Sequence, residues 1–175
     1  MGGGYGRAGM SRRVRLATAP ADIAALRALR IEALTDAPET FGSTLERELA
    51  RTPSDWQRWF SPSAVFFLEV DDIPRGLACG VPDKIDATLG HLMAMWVHPD
   101  FRRTGGADDL VGAVKQWAAE SGRREVRLQV IEGNARARRC YERAGFQLTG
   151  KSGILEHNGA VEVEMACKME SVRTA

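Results

Sequence analysis

The stretch from Leu89 to Leu110 constrains the fold more than any other part of the chain. Leu89 to Val97 is an apolar run of strand length that stops just before Pro99. After His91 it is apolar on both faces, so it belongs inside a sheet covered by helices. Arg102-Arg103-Thr104-Gly105-Gly106-Ala107 follows as a basic, glycine-containing turn. A helical pattern then begins, with Leu110, Val111, Val114, Trp117 and Ala118 on one face and Gly122 as its stop. Strand, turn and helix in that order aim unsatisfied backbone N–H groups at one point, with the positive end of the helix dipole behind them. Gly105 and Gly106 carry no Cβ to hold a ligand off the backbone. Arg102 and Arg103 place positive charge at the rim. The segment predicts a phosphate cradle.

Its spacing excludes two common cradles. There is no G-x-G-x-x-G and no G-K-[ST], and neither the phosphate-binding lysine nor the acidic ribose partner of those motifs is present. A nucleotide-binding protein using the same loop therefore lacks support. Charge narrows the partners further. With 24 basic and 23 acidic residues the net charge is +1, which gives no broad footprint for nucleic acid. No apolar run approaches a membrane span. Three cysteines, Cys79, Cys140 and Cys167, form no C-x-x-C pair, which favours a reducing, cytoplasmic setting over a disulfide framework. No metal site is expected. Hydrophobic content of 44% suits a globular core, and the length suits one domain over residues 11–170. The glycine-rich residues 1–10 read as a disordered leader or an expression remnant.

Along the chain, Arg13 to Ala17 alternates as a short strand. Pro20 and Asp22 open a helix that Asp36-Ala37-Pro38 ends. Ser43-Thr44-Leu45-Glu46 and Thr52-Pro53-Ser54-Asp55 read as two further helix starts. The aromatic residues of the second, Trp56, Trp59 and Phe60, either pack onto the sheet or wall a substrate pocket. Val65–Val70 and Gly76–Val81 form a hairpin across Asp71 to Arg75. Val126, Leu128 and Val130 mark a half-buried strand. Asn134 caps a helix that Gly145 closes, and two last strands meet around Asn158-Gly159. The order predicts a mixed α/β domain with helices on both faces of one sheet.

On the helix after Asn134, Tyr141 lies seven residues on, two turns further and about 10 Å away on the same face. Ala137 and Ala144 share that face, so it looks inward, while Arg136, Arg139 and Glu142 look out. Taken singly, Asn134 reads as an N-cap and Tyr141 as a core tyrosine. Taken together the two segments carry more. Arg102-x-x-Gly105-x-Ala107, and Asn134-x-x-Ala137-x-x-x-Tyr141-x-x-x-Gly145-Phe146, resemble the two signatures of the GNAT superfamily of acyl-CoA N-acyltransferases, correctly ordered and each on its expected element. Glu39-Thr40-Phe41-Gly42-Ser43-Thr44, after a helix containing Arg27-Ala28-Leu29-Arg30, is similar to many bacterial members.

The resemblance implies a single mixed, mostly antiparallel sheet and an N-acetyltransferase that uses acetyl-CoA and a primary amine, by direct attack. It implies that backbone N–H groups of Arg103, Thr104, Gly105, Gly106 and Ala107 hold the pyrophosphate, with Arg102 at the rim. Met95, Val97 and Asn134 would bind the pantetheine arm, and a backbone N–H near Met95 to Val97 would hold the oxyanion. Tyr141 would protonate the departing thiolate. His91 stands at the offset from Val97 where members place a general base, and histidine ordinarily titrates near neutrality. Glu32, Glu69 and a water relay are its alternatives. A CoA-binding sensor without turnover is the other reading, and homodimers are common in the family. Two departures stand out. Arg103 replaces a glycine found in many members. Asp108-Asp109 occupies the first turn of the cradle helix, where acids repel a bound pyrophosphate unless they turn outward, offset by Arg102 or Arg103.

Overall fold

The computed structural model describes residues 9–170, so the expected leader lies outside the described residues except for Gly9 and Met10. Seven strands form one sheet: β1 (Arg12–Leu16), β2 (Ala64–Val70), β3 (Ile73–Pro82), β4 (Leu89–Val97), β5 (Glu125–Ile131), β6 (Gln147–Ile154) and β7 (Val161–Lys168). Their spatial order is β1-β2-β3-β4-β5-β7-β6. Only β4 and β5 run parallel, and every other neighbouring pair is antiparallel.

Helices cover both faces, as the patterning predicts. On one face α1 (Ile23–Asp36) buries Leu26, Leu29 and Ala33 against Phe67, Leu77, Cys79 and Trp96. On the other, α4 (Gly106–Glu120) buries Leu110, Val111, Val114 and Ala118 against Leu68, Ala78, Leu92 and Val126. Short helices α2 (Leu45–Leu49) and α3 (Pro53–Gln57) lie between β1 and β2 in the chain. Thr52 and Asp55 form a reciprocal capping box at α3. At α2 the cap is Thr44, one residue later than the sequence reading, because the helix begins at Leu45 and only the side chain just ahead reaches the Arg47 N–H. Trp56 belongs to the α1 core cluster, with Trp59 and Phe60 packed against it.

The first hairpin is tighter than expected. Asp71 and Asp72 adopt φ of 50° and 63°, the left-handed pair that a two-residue turn needs, and β3 starts at once. Pro74 therefore lies inside the strand, opposite Glu69 at a register break, where a missing N–H is tolerated.

The central strand makes the feature that matters for function. Its ladder with β5 holds for three residues only, Leu89 to His91 against Glu125 to Arg127. Against β3, Met93 faces Cys79 and Trp96 faces Leu77, so Ala94 and Met95 stand together opposite Ala78. Ala94 takes φ of 56° to make this bulge. β5 stays with β7 along its whole length, while β4 turns away, and the sheet opens into a V. Met93, expected inside, is exposed, since the α1 cluster reaches β4 only at Ala94 and Trp96.

Candidate active site

A cleft of about 700 Å³ lies beyond the point where β4 and β5 part. One wall is the end of β4, Met95 to Val97, with Arg102, Arg103, Gly105 and Ala107 of the following loop. The opposite wall is α5 (Ala135–Arg143) with its cap Asn134. The segment after α1, including Glu39, Thr40 and Phe41, closes the third side. The β6–β7 turn braces that segment, since Asn158 Nδ2 donates to the Glu39 carbonyl at 3.3 Å.

Backbone conformation explains the cradle loop. Gly105 has φ of 88° and caps α4 from the left-handed region, which a glycine reaches without strain. Arg103 has φ of 64° and carries a Cβ there at a cost of about 1–2 kcal/mol. Gly106 serves a different purpose from the one its sequence implies. It is buried, and a Cβ on it would fall 2.4 Å from Leu68 Cδ2, so its bare Cα seats the start of α4 on β2. Thr104 lies outside the cleft and closes the turn by donating its hydroxyl to the Phe101 carbonyl at 2.7 Å.

Arg102 lines the cleft but its guanidinium is engaged. Nε donates to the Val97 carbonyl at 2.8 Å, and Nη2 pairs with Asp36 at the end of α1. Trp96 Nε1 donates to the same carboxylate at 2.9 Å. Burial opposes ionisation of Asp36, but the hydrogen bonds from Trp96 and Arg102 outweigh it and hold its pKa below the ordinary carboxylate value. This cluster joins the end of α1, the end of β4 and the cradle.

Of the two acids of α4, Asp109 turns away from the cleft as expected and Asp108 does not. Asp109 pairs with Arg12 of β1 at 3.0 Å. Asp108 turns into the cleft, where its Oδ1 accepts from Arg143 Nη2 at 3.2 Å and from Cys140 Sγ at 3.5 Å. The offsetting cations are thus Arg12 and Arg143, because Arg102 is committed to Asp36. Burial, then Asp108, pushes the Cys140 thiol up to about 11.

On α5, Asn134 Oδ1 accepts the Ala137 N–H at 3.1 Å, the cap expected of it. Tyr141 is 7% exposed, with its ring edge-on to Phe146 at a centroid distance of 6.1 Å. Gly145 turns back at φ of 94°, letting the Phe146 N–H reach the Tyr141 carbonyl at 3.0 Å. Tyr141 also lines the cleft. Burial, then Cys140, raises its pKa above the ordinary tyrosine value, so it keeps its proton at neutral pH. Arg136 and Arg139, read as outward, also line the cleft with Arg143. Their spacing of three and four was the available signal, and it was masked because solvent and an aqueous cleft demand the same side chains.

His91 lies at the closed end of the V and is not part of the cleft wall. Its Nε2 sits 2.8 Å from Asp83 Oδ2. The Asp86 N–H, His91 and the Ile85 N–H hold the Asp83 pKa well below the ordinary carboxylate value. Of the alternative bases, Glu69 is buried, paired with Arg13 and Arg15, and not part of the cleft wall.

The cleft suits a large phosphorylated cofactor. Its volume falls in the usual range for cofactor sites, about 300–1,000 Å³. Ala107 and Asp108 of the first turn of α4 line it, a helix end that favours anions, and arginines stand on both walls.

A family model described as the acetyltransferase (GNAT) family matches residues 26–146. No protein of curated function matches the sequence. Among solved structures, an acetyltransferase of the GNAT family from Streptococcus pneumoniae is similar with a TM-score of 0.78 at 19% identity, covering 91% of this chain and 100% of that one. A GCN5-related N-acetyltransferase from Kribbella flavida aligns with a TM-score of 0.73 at 22% identity, over 90% of this chain and 97% of its own. A candidate acetyltransferase from Salmonella typhimurium, solved with its cofactor acetyl-CoA, aligns with a TM-score of 0.73 at 17% identity, over 94% and 98%. At these identities the likeness is one of fold.

Proposed function

The chain belongs to the GNAT acetyltransferase family and is an acetyl-CoA-dependent acetyltransferase, and we propose from that premise how its own residues work. One observation carries the reading: the N-terminus of α4 and Tyr141 line the same cleft. Acetyl-CoA supplies an activated acetyl thioester, and the acceptor is a primary amine of a small molecule or peptide. N–H groups of the Arg103–Ala107 loop hold the pyrophosphate. The pantetheine arm lies along Met95 and Val97, whose strand edge β5 has left unpaired, with Asn134 opposite. A backbone N–H beside the Ala94 bulge faces the thioester oxygen and stabilises the charge that develops there. Tyr141, kept protonated by burial, gives its proton to the sulfur. His91, oriented by Asp83, takes a proton from the amine through water, since it stands outside the cleft wall.

No helix among the described residues is long and apolar enough to cross a membrane. We place the protein in the cytoplasm of a bacterium, with its three cysteines free, as they are here. The test is thiol release from acetyl-CoA against a broad panel of amines. Amine-dependent release establishes the reaction and begins to identify the acceptor. Acetyl-CoA binding without release across the panel would favour a CoA sensor instead.

A further inference from the structure

The acid that the sequence places at the start of α4 does not turn away from the cleft. The two walls meet at it. Asp108 projects from the first turn of α4, takes a hydrogen bond from Arg143 at 3.2 Å and another from the Cys140 thiol at 3.5 Å, and lines the cleft together with both. The N–H groups that would hold a pyrophosphate come from the same turn. A carboxylate seated there already answers the positive end of the helix and one of the cleft's arginines.

We infer that Asp108 sets how tightly the cleft holds CoA, by placing a like charge in the first turn of α4 and holding Arg143 to itself. This rests on the cofactor reading of the cleft. An incoming phosphate meets the like charge of Asp108 and shares or displaces Arg143, so binding is weaker than the loop and its arginines would otherwise make it. The consequence falls on the product, because CoA keeps its phosphates after the acetyl group has gone. A weaker hold speeds its departure, and product release limits many enzymes.

The decisive measurement is calorimetric titration of CoA into the wild type, Asp108→Asn, Asp108→Glu and Arg143→Ala, at 50 mM and 1 M salt. At low salt Asp108→Asn tightens CoA at least fivefold, while Asp108→Glu, which keeps the charge, stays within twofold of the wild type. Arg143→Ala weakens binding at least threefold. The gain from Asp108→Asn shrinks below twofold at 1 M salt, where the screening length is about 3 Å. Free Asp108→Asn melts at or below the wild-type temperature, since an acid has left the first turn of a helix. Tighter binding in a protein that is no more stable separates this role from a structural one. Asp108→Asn binding CoA no better than a wild type that binds it overturns the inference and leaves the cofactor reading standing. A wild type that does not bind CoA overturns the cofactor reading, and the inference with it.

Discussion

Replacing Tyr141 by Phe removes one oxygen from the cleft and keeps the ring. The ring is what the fold uses, since it packs edge-on to Phe146 and is nearly buried. The substitution leaves that packing intact and shifts stability by no more than about 0.5 kcal/mol. The chemical role of the hydroxyl is separable. General acid catalysis contributes about 10²–10⁴ in rate. At about 1.36 kcal/mol per decade, that is roughly 3–5 kcal/mol on the barrier. The deficit has a pH signature. A thiol ordinarily titrates near ~8.5, so the leaving sulfur needs a proton less as pH rises past that value. Tyr141 itself keeps its proton throughout, because burial raises its pKa. The assay is steady-state thiol release with saturating amine from pH 6.5 to 9.5, beside CoA titration of both proteins. The expected result is kcat lowered at least a hundredfold at pH 7, a narrower gap at pH 9.5, and an unchanged Kd for CoA. A kcat within threefold of the wild type, or a loss explained by weaker CoA binding, would refute the assignment.

Three further outcomes follow from the geometry. Glu48 is fully buried and accepts from Arg30 at 3.3 Å and from Arg51. Glu48→Gln leaves Arg30 without its counter-charge and costs about 3 kcal/mol, or roughly 6–12 °C in Tm, read by thermal melting. Burial opposes ionisation of Glu48, but Arg51 and Arg30 prevail and its folded pKa lies below the ordinary value. The wild-type advantage is therefore present above the ordinary glutamate pKa and disappears as pH falls through the folded one; an advantage that grows on acidification would contradict this. Gly106→Ala forces its Cβ against Leu68, costs about 1–3 kcal/mol by overpacking and weakens CoA binding; made in a Leu68→Ala background the same change should cost less on both measures, and an undiminished cost would place the effect elsewhere. His91→Gln should lower kcat/KM at least tenfold while the Kd for CoA stays unchanged, and a kcat/KM within twofold of the wild type would exclude His91 as the base.

Local chemistry was legible in the sequence wherever it was local. The caps at Thr52 and Asn134 answer N–H groups three residues away, so their partners lie within a single helical turn. The apolar faces of α1 and α4 follow a period of 3.6 and need nothing distant to be recognised. The strand, turn and helix of the cradle are contiguous, and the two signatures came with their own spacing. The misreadings share one cause. Whether Arg136 and Arg139 face solvent or a cleft cannot be read from α5, because both environments are aqueous and ask for the same residues. Gly106 and Gly105 are alike in sequence, yet Leu68, 38 positions earlier, makes one a packing residue while φ of 88° makes the other a cap.

What the sequence determined by itself was the fold class, the glycine-containing turn that leads into α4 and the helix that carries Tyr141, since each rests on periodicity or on contacts within a few residues. The tertiary structure alone decided which charges meet. Asp36 reaches Arg102 across 66 positions and Asp108 reaches Arg143 across 35. Ion pairs carry no periodic mark in the chain. They are chosen by the divergence of β4 from β5, which brings the end of α1, the head of α4 and the face of α5 around one opening.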